Sequence, residues 1–138
     1  MKYDYQKFFV DWKNWDAFND ESRFDNANGV YAFRLKSEFV RLKGTSKVLY
    51  IGMCNQNPKL NRRPGLWHRL KNYTQKNNGS SERLKNIEEV FGKSNIEYSY
   101  VICMSPYATG ESPREVEKAL LYDYYEKHIE LPPMNRSK

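Results

Sequence analysis

Three short runs dense in β-branched and aromatic residues constrain this chain more than any other feature. Residues 29–34 (Gly-Val-Tyr-Ala-Phe-Arg), 47–52 (Lys-Val-Leu-Tyr-Ile-Gly) and 96–104 read as strands, the third alternating through Tyr98, Tyr100 and Ile102. Between and after them the apolar spacing becomes helical. Leu66, Leu70 and Tyr73 mark a helix over 65–73. Leu84, Ile87 and Phe91 mark another, opened by Ser81 and closed by Gly92. Ser112-Pro113, with Glu115 following, is a capped helix start, and that helix extends to about Lys127. Gly44-Thr45-Ser46 supplies a turn, and residues 38–42 form a short alternating run that reads as a second, edge strand. This order predicts an α+β domain: a small mixed or antiparallel sheet flanked by helices. At the front, Tyr5, Phe8, Phe9, Trp12 and Trp15 fall at three- and four-residue spacing, which predicts an amphipathic helix over 5–18 packed on that core. The expected organisation is one domain over 1–138, with a helical extension over 1–27 and the core over 28–135.

The chain has 138 residues, and its 3 Trp, 11 Tyr and 7 Phe supply enough apolar surface to offset chain entropy, which excludes a disordered chain. No apolar run approaches the roughly 18 residues of a membrane span. The opening Met1-Lys2-Tyr3-Asp4-Tyr5 has no apolar stretch behind it, against a secretory leader. Cys54 and Cys103 read as buried reduced thiols. A cytoplasmic location is expected. The net charge is +6, and it is unevenly spread. From 59 to 76 the chain carries Lys59, Arg62, Arg63, Arg69, Lys71 and Lys76 with no acid, and Trp67, His68 and Tyr73 lie among them. Cations for phosphates and flat rings for bases make a nucleic-acid surface. Its expected contact residues are Arg62, Arg63, Trp67, His68, Lys71 and Tyr73.

The chain lacks a Gly-rich phosphate loop, a His-x-x-x-His pair, a Cys pair and a Gly-x-Ser-x-Gly elbow. His68 and His128 read as solvated or incidental. Tyrosines, arginines and carboxylates remain, and these serve phosphate chemistry: a metal on a carboxylate, an Arg on the phosphate, hydroxyls around the attacking water.

Two strand segments place a tyrosine near a glycine: Gly29-Val30-Tyr31 and Tyr50-Ile51-Gly52. After them come Arg69 within 65–73, then Val116-Glu117-Lys118-Ala119-Leu120-Leu121, then Leu131-Pro132-Pro133-Met134-Asn135. In that order these segments resemble the landmarks of the GIY-YIG endonuclease family, over residues 28–135. The interval 32–49 is longer than the family's usual spacing, and 38–42 would be a hairpin insertion within it. The interval from Glu117 to Asn135 is longer too, so Asp123 stands beside Glu117 as a second candidate carboxylate.

Helix geometry separates the two. At about 100° per residue, Leu120, Leu121 and Tyr124 fall within roughly 60° of Glu117, whereas Asp123 is turned away by about 120°. Glu117 thus lies in the apolar stripe, where a carboxylate needs a cation or several donors. A metal or an ordinary buried Glu–Arg pair would meet that need, and Asp123 reads as solvated at the helix edge.

The resemblance implies a nuclease-like α+β fold and hydrolysis of DNA phosphodiesters with Mg²⁺ (or Mn²⁺) held by Glu117. It implies that Tyr31 orients or deprotonates the attacking water, that Tyr50 hydrogen-bonds nearby, that Arg69 clamps the phosphate and that Asn135 braces the site. DNA is the expected partner. Target recognition would fall to the 59–76 stretch, to insertions, to a homodimer or to an accessory protein. The alternative is a non-catalytic nucleic-acid-binding module with the same fold.

Overall fold

The strand-like runs pair into one antiparallel sheet. The computed structural model of the chain describes residues 3–20, 28–55, 65–75, 79–103 and 112–135. Its strands are β1 (Lys13–Asn14), β2 (Gly29–Val40), β3 (Thr45–Cys54) and β4 (Ile96–Ile102), in the spatial order β1-β4-β2-β3. The helices are α1 (Tyr5–Phe8), α2 (Leu66–Gln75), α3 (Gly79–Phe91) and α4 (Pro113–His128). The expected α+β architecture, a small antiparallel sheet flanked by helices, is the one observed. On one side of β2, Tyr31 lies opposite Gly52 and Phe33 opposite Tyr50 of β3. On the other, Tyr31 lies opposite Tyr100 and Leu35 opposite Ile96 of β4.

Because side chains alternate along a strand, β2 feeds two separate cores. Tyr31, Phe33 and Leu35 pack with Leu66, Leu70 and Tyr73 of α2 and Leu84 of α3. Val30 and Ala32 face the opposite way, onto Val116, Leu120, Leu121 and Tyr124 of α4. A bulge interrupts β3: Phe33 pairs with Tyr50 but Arg34 with Val48, so Leu49 has no residue opposite it. The extra residue changes the phase of alternation. Leu49 and Tyr50 both reach the α2 face, while Val48 and Ile51 reach the α4 face.

The amino-terminal aromatics are buried as expected, but they do not form one helix. α1 is a single turn capped by Asp4, whose Oδ1 accepts the Gln6 N–H at 2.9 Å. Lys13 and Asn14 then pair with Tyr98 and Glu97 along the β4 edge, and residues 15–20 form a 3-10 turn. Tyr5 and Phe9 join the α4 core, whereas Trp15 and Phe18 join the α2 core. A straight helix cannot cover both faces of a sheet, so the segment bends round its edge.

The 38–42 run is not a separate strand either. It continues β2, with Phe39 and Val40 pairing with Ser46 and Thr45. The turn beyond it closes through the Arg41 N–H on the Gly44 carbonyl at 2.9 Å, with Gly44 at φ 72°. α3 starts at Gly79, ahead of Ser81. α4 begins as expected, the Ser112 Oγ accepting the Glu115 N–H at 3.3 Å.

Two residues expected in solvent are buried. Asp123 is 6% exposed; its Oδ2 accepts the Tyr5 N–H at 2.9 Å and pairs with Lys127 at 3.0 Å. His128 is 4% exposed, donating from Nδ1 to the Lys43 carbonyl at 2.8 Å and bonded through Nε2 to the Tyr5 hydroxyl at 2.5 Å. Cys54 and Cys103 are free and buried. Among the described residues no helix is long and apolar enough to cross a membrane.

Trp15 is fully buried, tilted against Phe18 and edge-to-face with Phe33 and Tyr98, and its Nε1 donates to Glu88 at 2.9 Å. Trp15→Ala is expected to cost about 3–5 kcal/mol by urea unfolding; a loss below about 1 kcal/mol would show that the wrapped segment is not part of the core.

Candidate active site

Tyr31, on the central strand, carries a hydroxyl that cannot reach water, since the residue is 1% exposed. A buried hydroxyl needs a partner, and Tyr31 has one: its Oη lies 2.8 Å from that of Tyr73, which lies 3.0 Å from Ser80 Oγ. Tyr50 completes the group, its ring centroid 6.0 Å from that of Tyr31 and 6.3 Å from that of Tyr73. Gly52 is what lets the rings close. A Cβ there would lie 2.6 Å from Tyr50 Cε2 and 2.7 Å from both Cζ and Oη of Tyr31. Gly29 answers a similar demand from the backbone, since a Cβ there would lie 2.1 Å from the Val101 carbonyl oxygen. The glycine of each tripeptide is thus fixed by close approach.

Burial, then the neighbouring phenols of Tyr73 and Tyr50, push the Tyr31 pKa well above its ordinary range, against a small opposing pull from Arg69. Burial raises Tyr73 as well. Tyr31 is therefore a neutral phenol at physiological pH, suited to holding other hydroxyls in place; the expectation that it deprotonates water does not fit a side chain sealed beneath Tyr73. Tyr50 is the half-buried member of the three.

Asn135 grips the strand that carries Tyr50. Its Oδ1 accepts the Ile51 N–H at 3.1 Å, and its Nδ2 donates to the Ile51 carbonyl at 2.9 Å. The amide thus replaces a neighbouring strand along the outer edge of β3, and the Met134 N–H adds a bond to the Leu49 carbonyl at 2.9 Å.

Glu117 stands on α4, on the other side of the sheet from the phenols. Burial pushes its carboxyl up, and the charges of Arg114 and Arg69 pull it back. Arg69 is half-buried on α2, and its field acts on both Tyr31 and Glu117. The buried Glu–Arg pair weighed above is not formed, since no ion pair among the described residues engages Glu117. Beside Glu117 opens a cavity of about 290 Å³ lined by Met53, Arg114, Glu115, Glu117 and Lys118. Asp123, by contrast, is committed to Tyr5 and Lys127.

Among the described residues no three His, Cys, Asp or Glu side chains gather as a metal cage. Mg²⁺ needs none: it takes one or two carboxylates and fills its remaining positions with waters and phosphate oxygens. A partly desolvated carboxylate beside an open cavity fits that demand.

The basic surface is only partly described. Arg62 and Arg63, with Lys59 and Lys76, lie outside the described residues. Trp67, His68 and Lys71 are half-buried on α2; Trp67 stacks on Phe18 at 6.1 Å, His68 meets its edge, and Lys71 Nζ lies 5.9 Å from its ring centre. Tyr73 does not belong to that surface. At 3% exposure it cannot stack on a base, and its hydroxyl belongs to the phenol group instead. The clue was present in its spacing: Tyr73 follows Leu66 and Leu70 on one helical face and stands one turn after Arg69. Ser80, Met53 and Arg114 were not singled out from the sequence, and nothing in their local pattern marks them.

No protein-family model, no curated protein and no solved structure matches this chain.

The phenols set a pH limit on the fold. The unfolded chain releases tyrosine protons near pH 10, while folded Tyr31 and Tyr73 retain theirs to higher pH. Stability is therefore complete below about pH 10 and falls as pH rises beyond it. Urea midpoints measured from pH 8 upward are expected to decline above about pH 10, and less steeply in Tyr31→Phe, which removes one of the groups responsible.

Proposed function

We propose that this chain is a metal-dependent endonuclease of the GIY-YIG type, hydrolysing DNA phosphodiester bonds. The observation that carries the reading is geometric: a half-buried carboxylate, Glu117, beside an open cavity, and a group of three phenols, Tyr31, Tyr50 and Tyr73, with the Arg69 guanidinium favouring the ionised form of both Glu117 and Tyr31. A phosphate held by Arg69 would have phenols on one side and a carboxylate on the other.

In this reading Arg69 binds the scissile phosphate through its fork of N–H donors, which fits two phosphate oxygens. Tyr50 meets the attacking water. Tyr31 and Tyr73 fix the Tyr50 ring from beneath, while Gly52 leaves the space that lets them do so. Asn135 holds the β3 backbone at Ile51, next to Tyr50, so the phenol's strand cannot slip. Glu117 would hold Mg²⁺ or Mn²⁺, which supplies polarisation of the phosphate and stabilisation of the departing 3′ oxygen. Trp67, His68 and Lys71, with Arg62 and Arg63, would carry the flanking DNA. Two free, buried thiols suit the reducing cytoplasm in which we place the protein.

The test is nicking of supercoiled plasmid with and without Mg²⁺, run beside a gel shift. Wild-type protein is expected to nick only with the metal. Glu117→Gln is expected to lose cutting by at least about a hundredfold, as for removal of a key electrostatic stabiliser, with DNA binding retained. Undiminished Mg²⁺-dependent cutting by Glu117→Gln would remove the carboxylate from its role. Wild-type binding without nicking would instead establish a non-catalytic nucleic-acid-binding module.

A further inference from the structure

The cavity beside Glu117 has a composition that metal binding alone does not require. Arg114 and Lys118 stand one turn apart on α4, so their side chains share a helix face. Both line the same cavity as Glu117, and both are exposed. Their position runs against the helix. Arg114 is in the first turn of α4, where the macrodipole favours anions and a cation is destabilising by a few tenths of a kcal/mol. Nor is either held by an ion pair among the described residues. Met53, half-buried on β3, adds an apolar side chain to the same lining. The lining carries Glu115 and Glu117 as well, so its formal charges balance, but Arg114 and Lys118 share one helix face, and with Met53 they match a nucleotide: phosphate for the cations, sugar or base for the methionine. Glu117 in the same lining fixes where that nucleotide lies relative to the reaction centre.

We infer that this cavity binds the nucleotide next to the scissile phosphate, with Arg114 and Lys118 on its phosphate and Met53 against its sugar or base. The inference rests on the endonuclease reading above. It makes the substrate a strand that continues past the cleavage point on the α4 side. Arg114 and Lys118 then act on binding rather than on the chemical step.

The experiment compares wild-type protein with Arg114→Ala/Lys118→Ala on oligonucleotides that either continue past the cut on both sides or end at it on one. Thermal unfolding checks that the variant is folded. On the continuous substrate KM is expected to rise about tenfold or more, with kcat held within about threefold, because the contact is made equally before and during reaction. The dependence of log K on log salt is expected to flatten by about 0.9, the loss of one neutralised phosphate. On an oligonucleotide that ends at the cut on the α4 side, which has no bond to cleave, the binding affinities of wild type and variant should coincide. An unchanged KM and salt slope would overturn the inference while leaving wild-type cutting in place. A fall in kcat at constant KM would also overturn it, making Arg114 a positioning residue for Glu117. Wild-type protein that neither binds nor cuts DNA would overturn the endonuclease reading together with this one.

Discussion

Burial of β2 on both faces and along both edges is the constraint on which the structure depends. Val30, Tyr31, Ala32 and Phe33 are each at most 1% exposed, and each pairs with β3 on one side and β4 on the other. These four residues cannot offer a side chain to solvent. The Tyr31 hydroxyl must therefore find its hydrogen bond inside the protein, and Tyr73 and Ser80 follow from that need. The site is accordingly layered: a sealed phenol below, a half-buried one at Tyr50 above it, and Gly52 as the gap through which their rings meet.

The same strand separates two cores that the amino-terminal segment then joins. Trp15 and Phe18 lie on the α2 side, Tyr5 and Phe9 on the α4 side. The crossing is held at α4 by a polar cluster. Lys127 pairs with Asp4 at 2.7 Å and Asp123 at 3.0 Å, and Asp123 takes the Tyr5 N–H. Tyr5 and His128 bond beside it. These groups lie among aromatic rings, with Tyr5 4.7 Å from Tyr124 and Tyr124 4.5 Å from His128 between centroids. Hydrogen bonds within the cluster satisfy its buried members, Tyr5, Asp123 and His128, which makes their burial tolerable.

Local signals were legible where one physical cause acted alone. Strands β2 to β4 showed in their β-branched and aromatic content. α4 showed in its Ser112 cap, and its buried stripe through Leu120, Leu121 and Tyr124 followed from angular spacing. Reading failed where two causes gave one pattern. Aromatics spaced by three and four suit a helix on one face, and equally a chain that turns round a sheet edge and buries residues on both. Asp123 lay off the apolar stripe, yet the neighbour that buries it is Tyr5, 118 positions earlier. Helix periodicity carries no information about such a partner. Among the candidate site residues, the motif positions Tyr31, Tyr50 and Asn135 were found in their strand and edge contexts, because glycine and turn residues mark those places. Tyr73 was assigned to the wrong surface because a tyrosine among cations suits a base-stacking platform as well as a core. The bulge at Leu49, which puts Leu49 on the same face as its neighbour Tyr50, leaves no trace in composition.

The side-chain amide of Asn135 completes a sheet edge from 84 positions away. Until that late segment docks, a nascent chain would carry β3 with naked peptide groups at Leu49 and Ile51, the kind of border along which unfinished molecules stick to one another. Closing it is a distant, slow contact of high loop entropy. Ordering of the strand that carries Tyr50 and protection against misassembly would thus be a single event, timed by the docking of the turn that carries Asn135.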